Sequence, residues 1–301
     1  MKYFVSGLLR LLNFVPDRLA IRLSLVIARL LVFLNADIAR ISRINIDRCF
    51  PELTTIERQR LMIDSLQHAA LLVFEFAYLQ YRPLNELLEK ISGVEGEELL
   101  QAAWDRSEGV LLLMPHFGCW EFLSVYLGRR YSISALYDPP NVAALEESMT
   151  NMRQRQGAVM HSTTPSGLRG LMRGLKAGDL VVVLPDQVPG SQAGGIAAPF
   201  FHSDALTMLL GKRLMKVCAP QVLLASAWRK LGSHGIEYKL SFEKPAAEIY
   251  SSDDRAHAVA MNRGIEMIVR RDPAQYHWSY KRFRRVPESE RDPPVDPYRR
   301  Q

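Results

Sequence analysis

The spacing of apolar positions divides the chain into a helical first third and an alternating remainder. From Leu19 to Ala39 the run LAIRLSLVIARLLVFLNADIA approaches the ~20 apolar residues that cross a bilayer. Arg22, Arg29, Asn35 and Asp37 interrupt it, and no small-residue cleavage site follows. On one continuous helix, at 100° per residue, Arg18, Arg22, Arg29, Arg40 and Arg43 fall within about 60° of one another. Leu23, Val26, Ile27, Leu30 and Leu34 occupy the rest of the circumference. A basic stripe on an apolar rod suits a helix lying among headgroups with its arginines on anionic lipid. A bundle helix with a solvated arginine face is the other reading, though the apolar arc is wider than one packing partner covers. We therefore expect residues 1–43 to form a membrane-associated helical segment.

Residues 55–81 keep helical spacing, Pro83 breaks it, and NELLEKIS starts another amphipathic helix. Short β-rich runs follow: GVLLLM, YSISALY, GAVMHS, GDLVVVLP, APQVLLASAW and GIEYKLSF, mostly bounded by Gly or Pro. Helical patterns, LEESMTNMRQRQ, GLRGLMRGLKAG and TMLLGKRLMKV, sit between several of them. This predicts an α/β fold, a mixed central sheet flanked by helices. The last stretch, PESERDPPVDPYRRQ at 287–301, is proline-rich and charged and is expected to be a flexible tail.

Composition narrows the function. With 301 residues, 48% apolar and 23% charged, the chain can bury a sizeable core and is not a disordered type. Its three cysteines, Cys49, Cys119 and Cys218, are odd in number and far apart, which leaves no disulfide framework or paired zinc motif and suggests a reducing compartment. A net charge of +6 favours an acidic partner: nucleic acid, anionic lipid or an acidic carrier protein.

The chemistry concentrates in GVLLLMPHFGCWEFL, residues 109–123. A buried strand over 110–114 ends at Pro115, and a helix is expected near Gly118, so His116 lies in the turn at a strand's carboxyl end, where open α/β sheets bind ligands. Glu121 can reach back to the imidazole, fix its tautomer and stabilise its protonated form, while the outer ring nitrogen takes a proton from a substrate. Backbone N–H groups around Gly118 to Trp120 are candidate oxyanion donors. Cys119 as a thiol nucleophile, or His116 and Glu121 as plain helix caps, are the competing readings. The other histidines lack metal-ligand spacing, so no metal is expected.

HFGCWE resembles the His-x4-Asp/Glu signature of glycerolipid acyltransferases, in the form found in the bacterial lipid A late acyltransferases. NIDRCFPELTTIERQRLMIDSLQHAALLVFEF is similar to that family's segment before the catalytic strand. GLRGLMRGLKAGDLVVVLPDQ with GGIAAPFF and Thr207 resembles its second block, APQV a later strand, and QYHWSYKRFRR its C-terminal signature. Cys119 departs from the asparagine that members often carry.

The resemblance implies a glycerolipid acyltransferase-like fold over residues 44–286. It also implies transfer of a fatty acyl group from acyl carrier protein to a hydroxyl of a glucosamine-based glycolipid, at the cytoplasmic face of the inner membrane. His116 and Glu121 would be catalytic, with direct attack on the thioester, no acyl-enzyme and no cofactor. Arg153 and Asp186 match supporting positions of the family. Asp186 ends GDLVVVLPDQ at a strand's carboxyl edge, and a guanidinium at 153 suits a phosphate or an oxyanion. Lys281, Arg282, Arg284 and Arg285, among aromatic rings, suit carrier protein or membrane contact better than nucleic acid. A noncatalytic, basic lipid-surface binding protein on a degenerate acyltransferase fold is the alternative.

Overall fold

The computed structural model describes residues 2–137, 143–190, 194–233, 235–285 and 296–299. Four helices come first: α1 (Lys2–Asn13), α2 (Asp17–Phe33), α3 (Asp37–Cys49) and α4 (Thr55–Tyr81). The Thr54 hydroxyl and Glu57 carboxylate form a reciprocal capping box that starts α4. The continuous helix expected through residue 43 does not form. Asn35 takes a left-handed conformation, φ 45°, which asparagine tolerates better than most residues, and α3 leaves at 86° to α2. Arg40 and Arg43 therefore lie on a different axis from Arg18, Arg22 and Arg29, and the five-arginine stripe is split. Among the described residues no single helix is long and apolar enough to cross a membrane.

The faces of α2 are inverted relative to an ordinary amphipathic helix. It buries Ala20, Ser24 and Ala28, packing closely on α4, and leaves Leu19, Leu23, Val26, Ile27, Leu30 and Phe33 exposed.

A seven-stranded sheet forms the body. Its strands are β1 (Ile91–Glu95), β2 (Val110–Leu113), β3 (Ile133–Tyr137), β4 (Ala158–Ser162), β5 (Leu180–Val183), β8 (Gln221–Gly232) and β9 (Gly235–Glu243), while β6 (Gly195–Phe200) and β7 (Ser203–Met208) pair as a separate hairpin. The order is β1-β9-β8-β2-β5-β3-β4, parallel except between β8 and β9. The α/β expectation holds, and all six expected strands are present. β1 was not foreseen, because the helix begun at NELLEKIS, α5 (Leu84–Glu89), stops short and the chain turns into this edge strand.

Seven further helices, α5 with α6 (Glu97–Trp104), α7 (Glu121–Leu127), α8 (Ala143–Arg155), α9 (Pro165–Lys176), α10 (Leu210–Met215) and α11 (Asp254–Arg271), complete the layers. Alternation along the central strands feeds two cores. Val110, Leu112, Leu180 and Val182 enter the one containing Leu71 and Phe74 of α4. Leu111, Leu113, Val181 and Val183 enter the other, with Leu171 of α9 and Ile265 of α11. Each such fully buried aliphatic side chain contributes about 2 kcal/mol, which is why β2 and β5 are apolar at every position. The expected flexible tail is partly docked: Tyr298 is buried, and its hydroxyl binds Asn45 of α3 and accepts from the Phe283 N–H at 3.1 Å. The remainder of 287–301 lies outside the described residues.

Candidate active site

β2 and β5 are parallel neighbours at the centre of the sheet, with Leu113 opposite Val183. His116 and Asp186 follow these positions at equal offsets and meet beyond the carboxyl ends. Asp186 clamps His116 twice: Oδ2 accepts the His116 backbone N–H at 2.9 Å, and Oδ1 pairs with Nδ1 at 2.8 Å. A buried carboxylate that accepts from Nδ1 fixes the tautomer with the lone pair on Nε2. The Gln187 side-chain amide donates to Nε2 at 3.2 Å. Burial pushes the Asp186 carboxyl up, but His116 and, more weakly, Arg282 outweigh it and hold the group below its ordinary value.

The turn after His116 is fastened from three sides. The Gly118 N–H donates to the Gln275 carbonyl at 2.9 Å, the Cys119 N–H to the Ala227 carbonyl at 3.1 Å, and the His277 N–H to the His116 carbonyl at 3.0 Å. Gly118 has φ +59°, and a Cβ there would run into the Ala227 carbonyl oxygen, so both conformation and space demand glycine. The Gly118 and Cys119 amides are thus spent on the fold and do not serve as the oxyanion donors expected of them. Their partners are themselves held, since Gln275 exchanges two hydrogen bonds with the Arg229 backbone, at 2.7 and 2.9 Å. The Arg229 guanidinium binds Glu75 of α4 through both oxygens at 2.6 Å, with neither side chain exposed beyond 1%.

Glu121 is not the carboxylate at the histidine. It opens α7, and both its oxygens bind Arg153 of α8, Nε at 3.1 Å and Nη2 more closely. The helix begins three residues later than expected, at Glu121 itself, so the side chain turns toward α8 while Asp186 takes Nδ1. The pairing in turn holds Arg153 protonated despite its burial.

The C-terminal run divides. Arg282, expected on the surface, is 2% exposed and donates to the Leu206 carbonyl at 2.7 Å and the Thr207 hydroxyl at 3.1 Å. Arg285 is exposed, while Lys281 and Arg284 are half-buried; Arg284 donates to the Tyr280 hydroxyl at 3.1 Å and Arg285 to the Gly190 carbonyl at 2.8 Å. Tyr276, Trp278, Arg282 and Phe283 are all buried, because QYHWSYKRFRR folds through successive turns that carry these side chains inward. Sequence reasoning also missed Gln187, Tyr276 and His277 beside His116. Burial, aided by His116, pushes the His277 imidazole down to about 4. Cys119 is inert as a nucleophile, because burial, reinforced by Glu75, pushes its thiol well up. Among the described residues no cluster of His, Cys, Asp and Glu could hold a metal ion.

The His116–Asp186 pair stands at the sheet's carboxyl edge, and residues 1–285 match the family model of the bacterial lipid A biosynthesis acyltransferases. The chain belongs to that family. It is 29% identical over 251 residues to a lipid A biosynthesis palmitoleoyltransferase of Escherichia coli, covering 83% of this chain and 80% of the relative. To the lauroyltransferase of the same organism it is 23% identical over 250 residues, again 83% and 80% of the two chains. Among solved structures, a 1-acyl-sn-glycerophosphate acyltransferase from Thermotoga maritima aligns over 90% of this chain and 95% of its own, with 15% identity and a TM-score of 0.38, too distant to bear on the site.

Proposed function

We propose that this lipid A acyltransferase family member moves a fatty acyl chain from acyl carrier protein to a hydroxyl of a lipid A precursor or similar glycolipid by direct attack. The observation that carries the reading is the His116–Asp186 clamp, which leaves the Nε2 lone pair on the open side of the turn. The acceptor hydroxyl replaces the Gln187 amide at Nε2 and gives up its proton there as its oxygen attacks the thioester carbonyl carbon. The tetrahedral intermediate expels the thiolate, which takes the proton back from the imidazolium. Ester and free carrier thiol result, with no acyl-enzyme. In this reading Asp186, not Glu121, orients the base, and the Glu121–Arg153 pair fixes α8 against α7. The intact pair favours catalysis over a noncatalytic lipid-surface role.

The exposed apolar face of α2, with Arg18, Arg22 and Arg29 nearby, supports a setting on an anionic membrane, which we take to be the cytoplasmic face of the inner membrane. Lys281, Arg284 and Arg285 keep the carrier-contact role proposed for the run, without Arg282. An acidic carrier is steered by such charges, and its association gains ~10 to 10³ at low ionic strength.

Mass spectrometry of lipid A from cells with and without the protein tests the reaction; unchanged acylation refutes it. Steady-state titrations with acyl carrier protein and coenzyme A thioesters test the donor. Charge removal at Lys281, Arg284 and Arg285 should raise KM for the carrier substrate more than for coenzyme A, with kcat little changed. A parent enzyme that prefers coenzyme A overturns the carrier assignment.

A further inference from the structure

The charges around the His116–Asp186 pair cancel except for one. Behind the turn, Glu75 and Arg229 neutralise each other. On the α7–α8 side Glu121 and Arg153 do the same. The nearby titratable groups are uncharged at neutral pH: burial pushes His277 down to about 4 and His68 to about 3. It pushes the Tyr276 and Tyr238 hydroxyls and the Cys119 and Cys49 thiols well up. Tyr280 and Asn45 of α3 line the same cavity. Lys281, Arg284 and Arg285 retain contact with solvent. What remains in the interior is the Asp186 carboxylate and the Arg282 guanidinium, lining one small cavity together with His116, Tyr276 and Gln187.

Among the described residues Arg282 has no carboxylate of its own. Its hydrogen bonds go to neutral acceptors, the Leu206 carbonyl, the Thr207 hydroxyl and, at 3.5 Å, the Asn262 amide oxygen. Its Nε finds no partner among the described residues. A buried cation satisfied only by neutral groups is costly unless an opposite charge shares its low-dielectric surroundings, and Asp186 is that charge.

We propose that Arg282 is a positioning residue of the site: its guanidinium is the counter-charge that keeps Asp186 an acceptor-only carboxylate, and Asp186 in that state fixes His116 with Nδ1–H donated and the Nε2 lone pair toward the acceptor hydroxyl. The role rests on the acyl-transfer reading for its consequence in catalysis. Without Arg282, Asp186 takes up a proton at higher pH. A protonated carboxyl can donate to Nδ1 and move the ring proton to Nε2, the wrong tautomer for a base.

The test compares Arg282→Gln with Arg282→Lys in full-length protein in detergent micelles, by the pH dependence of kcat and by ¹⁵N NMR of labelled histidine. For Arg282→Gln the acidic limb of kcat should move up by about one pH unit or more, which is a ~10-fold loss on that limb. Arg282→Lys should stay near the parent, with KM for both substrates little changed. A folded Arg282→Gln with an unmoved limb, or a lysine variant displaced as far as the glutamine one, overturns the proposal. Should Arg282→Gln not fold, the parent spectrum at pH 8 decides: a His116 signal from the Nδ1–H tautomer supports the proposal and one from the Nε2–H tautomer sinks it. The NMR readout needs no turnover. Failure of the acyl-transfer reading shows separately, as an inactive parent or a fully active His116→Ala.

Discussion

His116 and Asp186 each stand three residues beyond a register pair, Leu113 and Val183, on adjacent parallel strands. Equal offsets on strands ~4.8 Å apart bring the two side chains to one height, and the central position gives both a scaffold buried on either face.

The pair should act as a unit in kinetics. His116→Ala is expected to lower kcat by ~10² to 10⁴, the usual worth of general-base assistance. Asp186→Asn should cost a comparable factor, because an amide NH2 facing Nδ1 favours the wrong tautomer, and KM for either substrate should barely move. Steady-state rates on purified, folded variants check this. Near-parental kcat in Asp186→Asn would return the orienting role to another group.

Glu121 should reveal itself through stability as well as rate. Glu121→Ala leaves the Arg153 guanidinium buried without its carboxylate, a loss of about 3–5 kcal/mol when one partner of such a pair is removed. Arg153→Met added to it should recover part of that loss. Denaturant unfolding of both single variants and the double variant measures the coupling. Additive effects would show that the pair contributes nothing of its own.

Two half-buried histidines give the protein an acid limit. His277 and His68 are held neutral when folded, near 4 and 3, by burial first and then by His116 and Arg229 respectively. The unfolded chain binds their protons from about pH 6.5 downward while the folded chain does not, so stability is full above that pH and falls as pH drops toward the folded values. Each should contribute a slope on the order of 1 kcal/mol per pH unit between about 6.5 and 4.5. Chemical denaturation at several pH values tests it, and His68→Gln should flatten the slope. An unchanged slope in that variant would remove His68 from the account.

For the N-terminal helices, Val26, Leu30 and Phe33 all project outward. Replacing the three by serine should weaken binding to anionic vesicles at least ~10-fold at any salt, since each large side chain transfers with ~1.5–3 kcal/mol. Arg18, Arg22 and Arg29 to glutamine should weaken it only at low salt. Vesicle co-sedimentation distinguishes the two. Equal binding of the serine variant would detach α2 from the membrane reading.

Much of this was legible in the sequence. Short β-rich runs bounded mostly by Gly or Pro mark six of the strands, and VLLLMPH beside LVVVLPD repeats four buried residues, one apolar residue, proline and a polar side chain. That parallel spelling points to His116 and Asp186 as partners. Glu121 masks it by standing nearer in sequence, and helix geometry near a turn depends on where the first turn begins. Arg282 escapes notice for a related reason: among Lys281, Arg284 and Arg285 its charge reads as surface, and only the turns of the folded chain carry it inward beside Phe283. The break between α2 and α3 hinges on one left-handed asparagine, which hydropathy does not register.

The fastenings of the His116 turn come from far along the chain. Ala227, Gln275 and His277 hold it, and Asn45 in turn secures that strap through the Trp278 and Tyr280 carbonyls. A ribosome that has released only the first 220 residues has made His116, Asp186 and the N-terminal helices without the parts that set their geometry. The geometry of the pair is thereby withheld until residues 227–280 have joined the fold, and a chain truncated before residue 275 would keep His116 and Asp186 without the strap that fixes them.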